Sequence, residues 1–235
     1  MNLINILFII LVAVTVLEGI YRGFFHSALN LGAFFLSVIT SFLLYPVVST
    51  AVYRSESLFK FFYYYTEGSE LIASFEDSKL AVAGMGLDKL NSIITDSGVS
   101  EPFASLIRQN AQTQAFAPQG YVNIGEYYNM TIVCAVLNII SFVGIFLIAR
   151  VIYQFILGAV EYTVEFPELK RYDRTMGALF GITRGVLFCY FVVTIVPVLL
   201  LIVPVDKVAD YFNASSFGTF LLQHNFFLHL IRGSI

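Results

Sequence analysis

Long apolar runs with few charges dominate the chain, and they form two pairs separated by a more polar segment. The first pair covers residues 3–17 and about 28–48, and the second covers residues 130–160 and 185–203. About 20 apolar helical residues cross the ~30 Å hydrocarbon core of a bilayer, and each run reaches that length alone or with its flanking turn. The pattern therefore predicts an all-α membrane protein with four transmembrane helices.

The third run is longer than one span requires. At about 1.5 Å per residue, residues 130–160 would form a helix of about 46 Å. We therefore expect 130–148 to span and 151–160 either to continue beyond the membrane interface or to lie along it. The fourth run mirrors this arrangement, because a shorter stretch precedes Arg184 and the span follows it. We therefore expect Arg150 and Arg184 at similar depth on neighbouring helices.

Two further segments lie outside the predicted spans. Residues 49–128 contain an apolar helical face at 87–94, and we expect a small helical extracytoplasmic insertion that lies on the membrane. Residues 205–235 predict an amphipathic tail in which Ser215 and Ser216 cap a helix over 217–231. The resulting divisions are the first two spans at 1–48, the insertion at 49–128, the last two spans with a cytoplasmic hairpin at 129–204, and the tail at 205–235.

Basic residues are concentrated in the two short links of this topology. Together, the links at 21–27 and 161–175 carry Arg22, Lys170, Arg171 and Arg174. Lysine and arginine favour the cytoplasmic side of a membrane. We therefore expect both links in the cytoplasm and both termini outside it.

Composition agrees with a membrane protein and argues against several other classes. Charged residues make up 12% of the chain, against about 25% in soluble domains. The formal net charge of −3 argues against a nucleic-acid partner. Cys134 and Cys189 lie inside apolar runs, where they are packing residues rather than disulfide or zinc ligands. Because no metal-ligand or catalytic motif is evident, we predict a non-enzymatic protein without a cofactor or metal.

Three glycines recur every fourth residue at the beginning of the last span. Gly177, Gly181 and Gly185 would line one face of a helix, and small residues at this spacing let two membrane helices approach closely. We predict a helix-packing surface here. The partner helix could belong to the same chain or to a second copy in an oligomer.

Several charged residues lie beside or inside the predicted spans, where charge is costly. Glu18 and Arg22 have the spacing of an ion pair along one helix face. They could form an anchoring pair, line a path for a solute or proton, or contact Arg150 or Arg184. Arg184 itself could anchor to lipid phosphate or make a buried ion pair or anion contact. The candidate intramembrane polar residues are Glu18, Arg22, Arg150, Asp173, Arg174 and Arg184.

Two segments, one after the first predicted span and one before the last, carry a recognisable pattern. The first reads Glu18-Gly-Ile-Tyr-Arg22-Gly23-Phe24, and the second reads Asp173-Arg174-Thr-Met-Gly177-Ala-Leu-Phe-Gly181-Ile-Thr-Arg184-Gly185. With their order and the four-span plan, these segments resemble the colicin V production protein (CvpA) family. The resemblance covers about residues 1–48 and 130–204.

The resemblance implies a multi-pass protein of the bacterial cytoplasmic membrane, needed for production or export of a peptide toxin and for broader functions of the cell envelope. It implies no catalytic residue. The expected partners are the lipid bilayer and either a second copy or another membrane protein. The long segment 49–128 and the tail 205–235 depart from the short family members.

Two other functions stay open from the sequence. The intramembrane glutamate and arginines could line the path of a small channel or transporter subunit. The chain could also be a membrane anchor whose insertion at 49–128 recruits a partner.

Overall fold

The computed structural model describes residues 2–163, 172–202 and 206–235, and the regular elements in these ranges are helices. Single 3₁₀ turns lie at Gly68–Leu71 and Ala117–Gln119. The α-helices are α1 Leu3–Arg54, α2 Glu56–Tyr65, α3 Phe75–Ser78, α4 Leu87–Asp96, α5 Phe103–Gln112, α6 Ile124–Thr163, α7 Asp173–Thr194, α8 Val196–Ile202, α9 Asp206–Asn213, α10 Ser216–Gln223 and α11 Phe226–Leu230.

Three stretches of the described chain are long and apolar enough to cross a membrane. They are Leu3–Arg54, Ile124–Tyr162 and Asp173–Ile202. The first is interrupted at Gly23, whose φ of 80° and ψ of −175° are non-helical. A positive φ is accessible to glycine because it has no Cβ. The link predicted at 21–27 is therefore reduced to one residue, and the helix resumes at once.

The second and third apolar stretches differ in continuity. α6 is unbroken, so the helix does continue beyond 148 as predicted. The predicted run 185–203 is divided between α7 and α8. Pro197 explains the break, because it has no N–H to donate to the carbonyl of Val193. Most of the link predicted at 161–173, with Lys170 and Arg171, lies outside the described residues.

The chain divides into two compact units. The first combines Met1–Tyr45, Phe142–Val196 and Val205–Phe227, and the second combines Pro46–Ser141, Pro197–Pro204 and Leu228–Ile235. Aromatic rings form the core of the first unit. The ring of Phe146 lies 3.7 Å from that of Phe191 and 5.3 Å from that of Phe34.

The second unit has its own core, built from short helices and the first part of α6. In α4, Leu90, Ile93 and Ile94 are buried, whereas Leu87 of the predicted apolar face is exposed. Buried polar groups complete this core. Asn129 accepts a hydrogen bond from the main-chain N–H of Ser69 at 2.6 Å and donates one to the hydroxyl of Tyr63 at 3.0 Å.

The helix predicted after Ser215 begins at that cap but does not run to 231. Ser215 caps α10, because its hydroxyl accepts a hydrogen bond from the N–H of Gly218 at 2.9 Å. The helix predicted over 217–231 is wrong, since α10 ends at Gln223 and α11 begins at Phe226. The break occurs where the Asn225 side chain accepts from the N–H of Phe227 at 3.0 Å, which satisfies a donor at the start of α11.

Candidate functional site

The two segments of the recognisable pattern lie against each other within the first unit. The carbonyl of Gly19 faces Gly177, and Thr15 faces both Gly181 and Gly185. A methyl group on Gly181 would lie 2.5 Å from the carbonyl oxygen of Thr15 and 3.0 Å from the Cα of Val16. The main chains of α1 and α7 therefore approach each other too closely to admit a side chain.

We call this contact the glycine seam and define it by Gly19, Gly177, Gly181 and Gly185. A Cβ on either Gly19 or Gly177 would overlap the main chain of the other. The seam's partner helix thus lies in the same chain. Gly19 was not identified from the sequence, although it precedes Gly23 by four residues, the spacing that marks the other stripe.

Asp173 lies at the end of the seam, beside the interruption of α1. Its carboxylate accepts a hydrogen bond from the main-chain N–H of Phe24 at 2.9 Å. A side chain on Gly23 would overlap that carboxylate. Asp173 therefore caps the part of α1 that resumes at Phe24, as an N-cap residue does for its own helix. Arg174, the next residue, is exposed.

An ion pair crosses the seam between α1 and α7. The Nη2 of Arg184 donates to a carboxylate oxygen of Glu18, and the Arg184 side chain is only 7% exposed. The other oxygen of Glu18 lies 3.6 Å from the Nε of Arg22, one turn further along α1. Glu18 thus contacts both arginines. The burial of Arg184 argues against the alternative in which it anchors to lipid phosphate.

His26 extends this polar group toward α6. Its Nε2 accepts hydrogen bonds from Arg22 at 2.8 Å and from Asn30 at 3.2 Å, and its Nδ1 contacts Glu161. Since arginine has only donors, Nε2 must be the acceptor and Nδ1 must carry the proton. His26 was not identified as a candidate from the sequence, although it follows Arg22 by four residues.

Arg150 joins the same group through a neutral partner. Its guanidinium donates to the main-chain oxygen of Asn30 at 3.2 Å and also to the side-chain oxygen, to which Gln154 donates at 2.8 Å. Within the described chain, Arg150 has no carboxylate within ion-pair distance. The proposed contact between Arg150 and Glu18 is therefore not made. We call the whole set the polar network: Glu18, Arg22, His26, Asn30, Arg150, Gln154, Glu161 and Arg184.

The polar network has the chemistry of an ion-pair and hydrogen-bond cluster rather than a metal site. Over residues 2–163, 172–202 and 206–235, no three His, Cys, Asp or Glu side chains are grouped to hold a metal ion. Charge-assisted hydrogen bonds to arginine are among the stronger polar contacts in proteins. The arrangement can hold three helical segments in register.

Long apolar helices, a glycine seam and a polar network between helices together define a helical membrane protein. A family model described as colicin V production protein matches residues 4–225 of the 235-residue chain. The chain belongs to the colicin V production protein family. Searches of curated proteins and of solved structures each return no match.

Replacing Gly181 by alanine should weaken the seam, because its methyl group would press on the main chain of Thr15 and Val16. We expect a loss of about 1–3 kcal/mol in the free energy of unfolding, seen as a lower thermal midpoint by circular dichroism in detergent. Gly158→Ala is the matched control, since nothing lies within 4 Å of its Cβ position. It should be neutral or slightly stabilising. Equal midpoints for the two variants would contradict a tight seam.

Exchanging the charges of Glu18 and Arg184 should separate their pairing from the local pair of Glu18 and Arg22. Glu18→Arg or Arg184→Glu alone should cost about 2–3 kcal/mol, less than a fully buried pair because Glu18 is partly exposed. The double exchange should restore at least half of that loss in the same unfolding assay. Glu18→Arg combined with Arg22→Glu is the control. Rescue by the control alone would show that the pair across the seam contributes little.

Proposed function

We propose that this protein is a non-enzymatic, four-span accessory protein of the bacterial cytoplasmic membrane. It supports production or export of a peptide toxin and, more broadly, the integrity of the cell envelope. The observation that carries the proposal is the mutual engagement of the two pattern segments. Glu18 pairs with Arg184, and Asp173 caps the helix at Phe24, so these residues serve assembly of the bundle.

The first support for four spans comes from the contacts between α1 and α7. The main-chain N–H of Phe24, just after the interruption at Gly23, donates a hydrogen bond to Asp173, the first residue of α7. Phe24 of α1 therefore lies beside the beginning of α7. Thr15, more than two turns earlier in α1, faces Gly181, which is two turns further along α7. The first part of α1 therefore runs antiparallel to α7 and ends beside its first residue.

The second support comes from the contacts of α1 after the interruption. His26 contacts Glu161 near the end of α6, and Phe34 packs on Phe146 earlier in that helix. Phe146 in turn packs on Phe191, far from the beginning of α7. From the interruption, the two parts of α1 therefore extend in the same direction, the first along α7 and the second along α6. Two antiparallel spans joined by a tight turn would have this arrangement.

The proposed orientation places both termini and the helical insertion at 49–128 outside the cytoplasm. It is supported by Arg22 beside the turn and by the basic residues of the link at 161–175. The lipid bilayer is one partner in this proposal. The insertion offers a binding surface for another protein, either a second membrane protein or an extracytoplasmic protein.

Single-cysteine labelling tests the number of spans and the orientation. Four exposed tyrosines provide matched positions for replacement by cysteine in a chain without native cysteines: Tyr21, Tyr64, Tyr162 and Tyr211. A membrane-impermeant maleimide added to spheroplasts should label positions 64 and 211. Positions 21 and 162 should react only after the membrane is opened. A cysteine at 21 that stays unreactive in opened membranes would indicate three spans.

A channel or transporter subunit is the second candidate, and the continuity of the polar network favours it. Contacts run without a gap from Arg184 through Glu18, Arg22 and His26 to Glu161. The Arg22 side chain, in the middle of this series, is 50% exposed, so the network is accessible at that point. Such a chain of titratable groups can line a path for a proton or a small ion.

Complementation and flux together distinguish the two functions. In a strain that makes colicin V but lacks its own family member, we expect this protein and Gly158→Ala to restore toxin release, and Gly181→Leu to fail. Zones of growth inhibition give the readout. In liposomes, the purified protein should conduct no tested ion or osmolyte. Flux that changes in Arg184→Leu would instead support the channel, and absence of toxin rescue by folded wild-type protein would overturn the accessory role.

A further inference from the structure

The last residues of the sequence occupy a slot in the second unit, between α5 and α6. The side-chain amide of Asn110 donates to the carbonyl oxygen of Gly233 at 2.8 Å. The amide of Asn138 donates to the carbonyl oxygens of Arg232 at 2.8 Å and of Ser234 at 3.3 Å. Two asparagines therefore hold three consecutive main-chain carbonyls of a non-helical segment.

The slot is buried and selective for the shape of the main chain. Asn110 is 5% exposed and Asn138 is 1% exposed. A methyl group on Gly233 would lie 2.9 Å from the Cβ of Leu106 and 3.1 Å from the amide nitrogen of Asn110. The side chain of Arg232 is exposed and takes no part. The side chain of Ile231 is 3% exposed, so the slot holds carbonyl groups, a glycine and one buried apolar side chain.

The occupying segment does not use every polar group of the slot. The Oδ1 of Asn138 is buried and accepts no hydrogen bond from any described residue. Most buried polar atoms have a partner, so an acceptor left open beside a bound segment is unusual. A segment that also presented an N–H to this oxygen would be a better ligand.

We propose that this slot is a peptide-binding site, and that the chain's own residues 231–235 are its exchangeable occupant. Its ligand class is a non-helical peptide that bends as residues 231–235 do, with a glycine at the position of Gly233. Binding depends on main-chain carbonyls, on the absence of a side chain at one position and on the buried side chain of Ile231. The proposal rests on the second unit alone and is independent of the proposed function.

A peptide added in trans tests the exchange. The full chain carrying Gly233→Val should have its own segment displaced, because valine cannot enter beside Leu106 and Asn110. A fluorescent peptide with the sequence of residues 228–235 should bind this variant at least tenfold more tightly than the wild type, by fluorescence polarisation in detergent. The matched peptide with valine for glycine should not bind. Equal binding of the two peptides, or none to the folded variant, would overturn the proposal.

A second measurement uses an intact slot in case Gly233→Val does not fold. A spin label at Arg232→Cys, in a chain without native cysteines, reports the mobility of the segment from an exposed position. Excess glycine-containing peptide should convert an immobile spectrum into a mobile one, and the valine peptide should leave it unchanged. A spectrum that both peptides leave unchanged would show that the segment is a fixed part of the core.

Discussion

The close approach of α1 and α7 is the contact on which the first unit depends. In a bilayer, apolar side chains gain little by leaving lipid for protein, so helices associate through close packing and polar contacts. The glycine seam supplies the close packing, because the carbonyl of Thr15 fits against Gly181 with no room for a methyl group. The pair of Glu18 and Arg184 supplies the polar contact at the same place.

The close packing at the glycine seam and the ion pair of Glu18 and Arg184 therefore depend on each other. Arg184 lies between Gly181 and Gly185, and its long side chain can reach Glu18 only because the glycines bring the helices together. Removing one partner of such a pair leaves the other charge without compensation, which is costly in a medium of low polarity. Arg150 is a charge without a charged partner among the described residues, because the side chain that it contacts, Asn30, is neutral and fully buried. Within the part of the chain that the structure describes, that guanidinium is held by dipoles alone.

Much of the fold could be predicted because hydropathy, glycine spacing and helix capping act locally. The apolar runs gave the long helices, and Ser215 marked the beginning of α10. The rest depended on contacts between distant residues. Nothing near Asp173 in sequence indicates that it caps a helix at Phe24. Likewise, the exact register of α1 against α6, which brings Asn30 to Arg150, is set by packing.

We interpret the residues of the family pattern as serving the assembly of the helix bundle. Its glycines make close contacts between helices, its aspartate caps a helix, and its glutamate binds Arg184. Hydrogen-bonding capacity is left on Arg22, which is half exposed in the polar network, and on Asn138, in the slot of the second unit. We therefore expect a ligand at one of these residues rather than in the glycine seam, which admits no side chain.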